Sequence, residues 1–249
     1  MVDTIRRLSK QRLRDIEFVD NVFNSPYEHA VDICSGLATA KLPVRLQSVE
    51  LNPRFVDDPL LTVMERAGFV GAGITAESAS DVVLENLNKG YSYEDLRKTA
   101  ETVCRHKLPI LWIFMFGGPG ESQESVEETL RFAETHIRPT DVAFFSAGIR
   151  IYPGTRLERI ARQQGVLTVS ADNLLLPTFY VSPEISLEWL QDRLKIAAAN
   201  RLNFVLHDSM GLPLMQKVLG VSHALGMHPP LWRHARKVRK VLKVMHLHP

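Results

Sequence analysis

Polar residues that could bind a ligand follow several short apolar segments of this 249-residue chain. Asp20 and Asn21 end one such segment, and Glu77 and Ser78 end another. Carboxylate and amide oxygens at these positions could accept hydrogen bonds from the hydroxyl or amino groups of a small molecule. Taken singly, each carboxylate is better explained as a helix cap or a solvated end. The prediction of a ligand site therefore depends on their joint appearance.

A glycine-rich loop follows the most apolar segment, PILWIFMF, and consists of Gly117, Gly118, Pro119, Gly120 and Glu121. Glycine lets backbone amides and carbonyls approach a ligand closely and adopt unusual dihedral angles. The loop has neither the Gly-Lys-Ser/Thr ending of a Walker loop nor the Gly-x-Gly-x-x-Gly order of a dinucleotide site. A tight turn before a capped helix is the favoured explanation, so the loop alone is weak evidence for a ligand.

The elements that must position these residues alternate between strand and helix. The pattern predicts five strands, over residues 15–20, 44–50, 69–76, 109–116 and 141–151, with helices between them. Such alternation with short connections predicts an α/β fold with a parallel sheet. Right-handed crossovers would place all the strand carboxyl ends at one edge, where such folds bind their ligands.

Charge and cysteine content exclude several classes of protein. The formal net charge is +2, but seven basic residues follow the last acidic residue, Asp208, so residues 1–208 carry −5. A body of this charge argues against a nucleic-acid partner. The two cysteines, Cys34 and Cys104, are expected to be reduced core residues of a cytoplasmic protein, and no metal site is predicted. The longest apolar runs are too short to span a bilayer.

The ordered motifs resemble those of a known family. The runs FVDNVFN, ELNPRFVDDPLLTVMERAG, GAGITAES, FMFGGPGES and IRIYPGT, between about Thr4 and Gly165, resemble the radical S-adenosylmethionine (radical SAM) enzymes. The similarity is greatest to the cobalamin-domain branch, which includes magnesium-protoporphyrin ester cyclases and radical methyltransferases. The resemblance implies a partial, TIM-barrel-like (β/α) barrel that binds S-adenosylmethionine and a [4Fe–4S] cluster and acts on a small-molecule substrate. Cobalamin is a further cofactor of that branch.

The same resemblance implies roles for individual residues. It places Asp20 and Asn21 near the methionine amino group of S-adenosylmethionine, and Glu77 and Ser78 near the ribose. It places the loop from Gly117 to Glu121 beside the methionine and adenine, and the segment from Ile149 to Tyr152 against the adenine.

The sequence departs from this family at the cluster site. The family binds its cluster through a Cys-x3-Cys-x2-Cys loop after the first strand, and this sequence contains no such loop. Residues 3–14 resemble the helix that follows that loop, so we expect a barrel without its first strand and no cluster on the isolated chain. A truncated reading frame, a fragment that needs an N-terminal part, and a degenerate paralogue all remain open. The chain is thus either the core of a radical SAM enzyme, inactive alone, or a non-catalytic scaffold that associates with an intact paralogue.

Two domains are expected, a barrel core over residues 1–165 and a helical C-terminal extension over residues 166–249. Phe179 and Tyr180 could line a substrate mouth, although a packing role is favoured. The segment Leu231–Met245 has apolar residues at helical spacing and many basic ones. A helix docked on the body is favoured there over a helix that contacts a membrane or a partner. His246 and His248 are expected to be solvated.

Overall fold

The computed structural model describes residues 1–168, 176–206 and 226–244. A parallel sheet of six strands, in the order β1-β2-β3-β4-β5-β8, forms its centre. A separate antiparallel pair consists of β6 and β7. The strands are β1 (Asp15–Phe18), β2 (Arg45–Leu51), β3 (Phe69–Glu77), β4 (Ile110–Phe116), β5 (Val142–Ala147), β6 (Ile149–Arg150), β7 (Phe179–Tyr180) and β8 (Phe204–Leu206).

Helices connect the strands of the sheet, because parallel strands can be joined only by a crossover connection. The described helices are α1 (Val2–Lys10), α2 (Tyr27–Ala40), α3 (Asp58–Ala67), α4 (Asp81–Asn86), α5 (Tyr93–Arg105), α6 (Gln123–His136), α7 (Arg156–Gln163), α8 (Leu187–Asn200) and α9 (Ala235–Val244). None of the described helices is long and apolar enough to cross a membrane.

Side-chain caps determine where helices α5 and α6 begin. Ser92 and Asp95 form a reciprocal capping box at the start of α5, and Ser122 and Ser125 form another at the start of α6. Each box satisfies backbone amides that the first turn of a helix leaves without partners. The second box fixes the point at which the glycine-rich loop ends and α6 begins.

The core lies between the sheet and its helices. Along β4 every second residue is fully buried, and the residues between them are half-buried. Trp112 and Phe114, two of the buried residues, make edge-on ring contacts with Phe132 of α6, with ring centroids 6.2 and 6.3 Å apart. A period of two therefore directs one face of β4 into the core and leaves its other face to the more open side of the sheet.

The prediction of a parallel α/β fold is confirmed, but two details of the strands were wrong. The sheet has a sixth strand, β8, which pairs with β5 and comes from the segment expected to be a loop and a helix. The fifth predicted strand, 141–151, is divided at Gly148, whose φ of 83° turns the chain away from the sheet. Beyond that turn, Ile149 pairs antiparallel with Tyr180.

A barrel that lacks its first strand should leave the segment 15–20 at an edge of the sheet, and the structure confirms this expectation. β1 lies at the end of the sheet and pairs with β2 alone among the described strands. Helix α1 packs against α2, where Val2 approaches Gly36. An edge strand exposes backbone amides and carbonyls that another strand could pair with.

The described part of the C-terminal segment docks on the body, as predicted. A 3-10 turn over Leu231–His234 leads into α9, and Trp232 and Leu242 are half-buried. Arg239 of α9 donates hydrogen bonds to the carbonyls of Ala198 and Arg201, at 2.9 and 3.3 Å, where α8 ends. Met245, His246 and His248 lie outside the described residues.

Candidate active site

The carboxyl ends of β1 and β2 are joined by a pair of asparagines. The Asn24 amide nitrogen donates to the Asn52 carbonyl at 2.9 Å, and the Asn52 backbone nitrogen donates to Asn24 Oδ1 at 2.8 Å. Asn24 is fully buried, so these bonds satisfy polar groups that would otherwise be costly to bury. The asparagines of the FVDNVFN and ELNPRF motifs therefore hold the segments that follow β1 and β2 against each other.

Asp20 and Asn21 are exposed in the loop between β1 and this asparagine pair. The Asp20 carboxylate accepts a hydrogen bond from the backbone nitrogen of Asn21 at 2.8 Å. The Asp20 side chain can therefore reach solvent or a ligand at the first strand end. No contact among the described residues joins it to Glu77.

Glu77 is the most constrained residue of the site. It ends β3, is only 5% exposed and has a φ of 57°, in the left-handed region that few side chains adopt. Its Oε1 accepts a hydrogen bond from Lys89 Nζ at 2.5 Å. Its Oε2 is buried and has no partner among the described residues. Residues held in such a conformation concentrate at functional sites, where the surrounding structure enforces the strain.

Lys89 lies in the turn between α4 and α5, and two contacts fix this turn. Arg54 donates to the Gly90 carbonyl at 3.1 Å, and the Tyr91 hydroxyl donates to the Thr75 carbonyl at 2.8 Å. Burial, and then the negative charge of Glu77, raise the pKa of Tyr91, which keeps the hydroxyl protonated as a donor.

A second carboxylate lies near Glu77. Glu50, the penultimate residue of β2, is half-buried. Burial raises the pKa of Glu50, the charge of Glu77 raises it further, and the positive charge of Lys89 opposes both. Lys89 thus forms an ion pair with Glu77 and acts on Glu50 through its charge.

The glycine-rich loop carries a third carboxylate. Glu121 is fully buried, and its Oε2 accepts hydrogen bonds from the backbone nitrogens of Gly117 and of Gly118, the latter at 2.8 Å. Its Oε1 is buried without a partner among the described residues. Burial raises the pKa of Glu121 to about 7, against the effect of the two amides. Unsatisfied oxygens of this kind call for a bound ligand or water.

The loop conformation requires glycine at two places. Gly117 and Gly120 have φ angles of 97° and 74°. A Cβ atom at Gly120 would lie 2.5 Å from the Asn86 amide nitrogen, which donates to the Pro119 carbonyl at 3.0 Å. The end of α4 and the loop are therefore fitted together, and both lie next to the end of β3.

The remaining predicted site residues range from fully buried to exposed. Ser78 is fully buried, and its hydroxyl lies 3.0 Å from that of Thr129 on α6. The same hydroxyl accepts a hydrogen bond from the Ser80 backbone nitrogen, so it links β3 to two helices. Ile149 lies close to Gly118, and Tyr152 is exposed with Arg150 stacked 4.8 Å from its ring centroid.

The first half of this chain matches a known protein family. Residues 2–133, more than half of the chain, match the model of the radical SAM superfamily. The chain belongs to the radical SAM superfamily. The resemblance noted in the sequence is thereby confirmed at the level of the superfamily.

Several individual proteins are similar to this radical SAM chain. The uncharacterized methyltransferase PH0819 of Pyrococcus horikoshii is 29% identical over 164 residues, which are 66% of this chain and 33% of that protein. The methyltransferase TsrM of Kitasatospora setae, solved with cobalamin and a [4Fe–4S] cluster, is 19% identical, with a TM-score of 0.78 over 98% of this chain and 54% of TsrM.

OxsB, a cobalamin-dependent radical enzyme solved with aqua-cobalamin and S-adenosylmethionine, has a TM-score of 0.62 at 15% identity. The match covers 99% of this chain and 40% of OxsB. At these identities the two solved structures show a shared fold. The chain spans about a third of the length of PH0819 and about half or less of the two solved proteins.

The cysteines of this radical SAM chain do not fit an iron–sulfur cluster. Cys34 is fully buried in α2, as predicted, and burial raises its pKa to about 12. The prediction that Cys104 is also a core residue was wrong, because it lies on the exposed face of α5. A cluster requires several thiolates brought together, and this chain has two cysteines on separate helices. Within the described ranges, no group of three or more His, Cys, Asp or Glu residues is placed to bind a metal ion.

Sequence reasoning missed Lys89 and left Glu50 out of the site. Lys89 follows a short helix and precedes Gly90, a place where a solvated lysine is common. The GAGITAES motif contained the signal that could have predicted such a lysine. Its glutamate ends an apolar strand, and a glutamate buried at that position needs a cationic partner. The identity of that partner depends on a turn whose conformation the sequence pattern does not determine.

Proposed function

We propose that this chain binds S-adenosylmethionine at the carboxyl edge of its sheet and forms the core of a radical methyltransferase-type enzyme. The observation that carries the proposal is the pair of buried carboxylates at adjacent strand ends. Glu77 Oε2 and Glu121 Oε1 each lack a partner among the described residues, while the other oxygen of each carboxylate is held by the protein. Preorganised acceptors of this kind suit the ammonium and hydroxyl donors of S-adenosylmethionine.

The residues present fit S-adenosylmethionine in their chemistry. Glu77 offers a fixed acceptor for a hydroxyl or ammonium group. The Gly117–Glu121 loop brings backbone close to a ligand, and Asp20 provides an exposed carboxylate at the first strand end. When bound in an intact enzyme, S-adenosylmethionine supplies the methyl group or radical of the family's reactions. The residues of this chain bind and orient it.

The residues present do not fit a [4Fe–4S] cluster, so we derive no radical step for the isolated chain. We propose instead that activity requires cysteines from an N-terminal part or an intact paralogue. We include cobalamin as a cofactor of the assembled enzyme because TsrM and OxsB were solved with cobalamin bound. We propose that the assembled enzyme acts on a small-molecule substrate.

Titration of the isolated chain with S-adenosylmethionine tests the proposal. We expect weak, saturable binding in the millimolar range, because the contacts of the methionine group with a cluster are missing. Glu77→Gln should weaken the binding about tenfold, the equivalent of one lost charge-assisted hydrogen bond. Glu188→Gln, at an exposed position on α8, is the matched control and should bind as the wild type does. No saturable binding by the wild type would contradict the proposal.

The second candidate, a non-catalytic scaffold, is favoured by one observation. The only two cysteines of the chain are a core residue of α2 and an exposed residue of α5. Anaerobic reconstitution followed by iron and sulfide analysis separates the candidates when it is repeated with an added polypeptide that carries the family's Cys-x3-Cys-x2-Cys loop. A cluster that forms only in the mixture supports the enzyme. No cluster in either sample supports the scaffold.

A further inference from the structure

Strand β1 leaves a free edge at one end of the sheet. It pairs with β2 alone among the described strands, and Asp15 and Glu17 on it are exposed. Two apolar residues flank the strand, Leu13 before it and Val19 after it, and they are 49% and 92% exposed. An exposed edge with apolar residues at both ends is a surface that another strand can cover.

The hydrogen bonds to β2 determine which backbone groups of β1 point outward. The Arg45 backbone nitrogen donates to the Arg14 carbonyl at 2.6 Å, and Asp15 lies in register with Arg45. Because successive residues of a strand alternate in direction, Asp15 and Glu17 turn their amides and carbonyls away from β2. These groups can therefore form hydrogen bonds with a strand that approaches from outside the sheet.

The opposite edge of the six-stranded sheet does not offer a matching surface. That edge is β8, where Phe204 and Val205 are buried. Arg239 of α9 donates to the Phe204 carbonyl, so a side chain already covers part of this backbone. A head-to-tail contact between β1 of one copy and β8 of the next is therefore disfavoured. A second β1 is the counterpart that this sheet leaves open.

The residues around β1 are self-complementary when two copies run antiparallel. A pair centred on Ile16 places Leu13 of one copy opposite Val19 of the second copy, so that the two exposed apolar residues cover each other. The same register places Asp15 opposite Glu17, the two residues whose backbone groups point outward. In an antiparallel pair such residues exchange both of their backbone hydrogen bonds, and the exchange occurs twice about the two-fold axis.

The charges at the two ends of β1 favour the same orientation. Arg14 precedes the strand and donates to a backbone carbonyl, and Asp20 follows the strand. Antiparallel pairing brings the basic end of each strand beside the acidic end of the other, whereas parallel pairing would bring like charges together. Asp15 and Glu17 carry the same charge, but Asp15 is paired with Arg45 at 2.6 Å, which offsets their repulsion.

We infer that two copies of this chain associate through antiparallel pairing of their β1 strands, about a two-fold axis at Ile16. The contact closes on itself because each copy contributes the same edge. So short a strand buries little area, and a dimer that half dissociates at roughly 10–100 μM is expected of such small, transient interfaces. This association does not depend on the binding of S-adenosylmethionine.

Sedimentation velocity over a concentration series of the full chain measures the association. Leu13→Lys and Val19→Glu should each weaken it about tenfold or more, because each places two charges against apolar residues of the other copy. The double variant Leu13→Lys/Val19→Glu should recover most of the affinity, since every new lysine then faces a new glutamate. The control is Ile196→Glu on α8, which replaces an apolar residue that is 57% exposed and lies on the helix that packs against β8.

Thermal unfolding of the variants as monomers checks that the substitutions act on the contact, and it should match the wild type because both side chains are exposed. A wild type that stays monomeric at every concentration would overturn the inference. So would a double variant that associates no better than the single variants, or an equal loss in Ile196→Glu. A monomer that instead binds an added polypeptide carrying the family's Cys-x3-Cys-x2-Cys loop, and loses this binding in Val19→Glu, would assign the edge to another chain and overturn the inference as well.

Discussion

The indole ring of Trp232 lies over Gly71, where a Cβ atom would come within 2.7 Å of the ring. Pro230 approaches the same glycine, at 3.0 Å. Gly71 is near the amino end of β3, in register with Gln47 of β2. The C-terminal segment is therefore fitted to the end of the sheet opposite the candidate site.

Gly71→Ala should consequently loosen the C-terminal segment. The new methyl group overlaps a rigid ring, and overpacking of this kind costs about 1–3 kcal/mol. Chemical unfolding should show the loss of stability, and limited proteolysis should show faster cleavage near residue 232. The double variant Gly71→Ala/Trp232→Leu should recover part of the stability, since a smaller side chain removes the overlap. Equal stability of the single variant and the wild type would show that the ring does not rest on Gly71.

Arg239 should contribute to the same docking from the other end of the segment. Its guanidinium donates to carbonyls at the end of α8, including that of Ala198, which have no capping partner within the helix. Arg239→Met should lower the free energy of unfolding by about 1–3 kcal/mol and increase hydrogen exchange around Phe204. Lys240→Met, an exposed neighbour on α9, is the matched control. Equal hydrogen exchange around Phe204 in the two variants would show that Arg239 does not hold the segment on the body.

Glu121 should make stability depend on pH near neutrality. Its folded pKa of about 7 lies above the ordinary glutamate value of about 4.3, so the folded state holds the proton more tightly than the unfolded state. The stabilisation is complete below about pH 4.3 and is lost as pH rises towards 7. Glu121→Gln should therefore show a loss of stability between pH 5 and pH 8 that is smaller by about 2–3 kcal/mol. Parallel pH profiles of the two proteins would show that the proton is bound elsewhere.

The sequence predicted the strands of the sheet better than it predicted the side-chain contacts at their carboxyl ends. Apolar strands with period-two burial, such as β4, and capping residues such as Ser122 are local signals, and the structure confirmed the elements that they predict. Strand β8 is three residues long and lies far along the chain from its partner β5. Its identity depends on that pairing, which a local pattern does not contain.

The same limit applies to individual side chains. Ser78 and Glu77 are neighbours in one motif, yet the Ser78 hydroxyl bonds to Thr129, 51 residues away, while Glu77 pairs with Lys89. Alternation along a strand sends adjacent side chains to opposite faces, but their partners come from separate helices and turns. The motif therefore located the strand end, and tertiary structure determined which residue is available to a ligand.

Residue-specific mapping of ligand binding tests the central claim most directly. Backbone amide NMR spectra of the isolated chain should be recorded with increasing S-adenosylmethionine, up to several millimolar, for the wild type and Glu77→Gln. The account predicts saturable shifts at the amides of Gly117, Gly118 and Ser78 in the wild type, weaker ones in the variant, and none around Arg239. Identical shifts in both proteins, shifts confined to residues away from the strand carboxyl ends, or no shifts at all would contradict it.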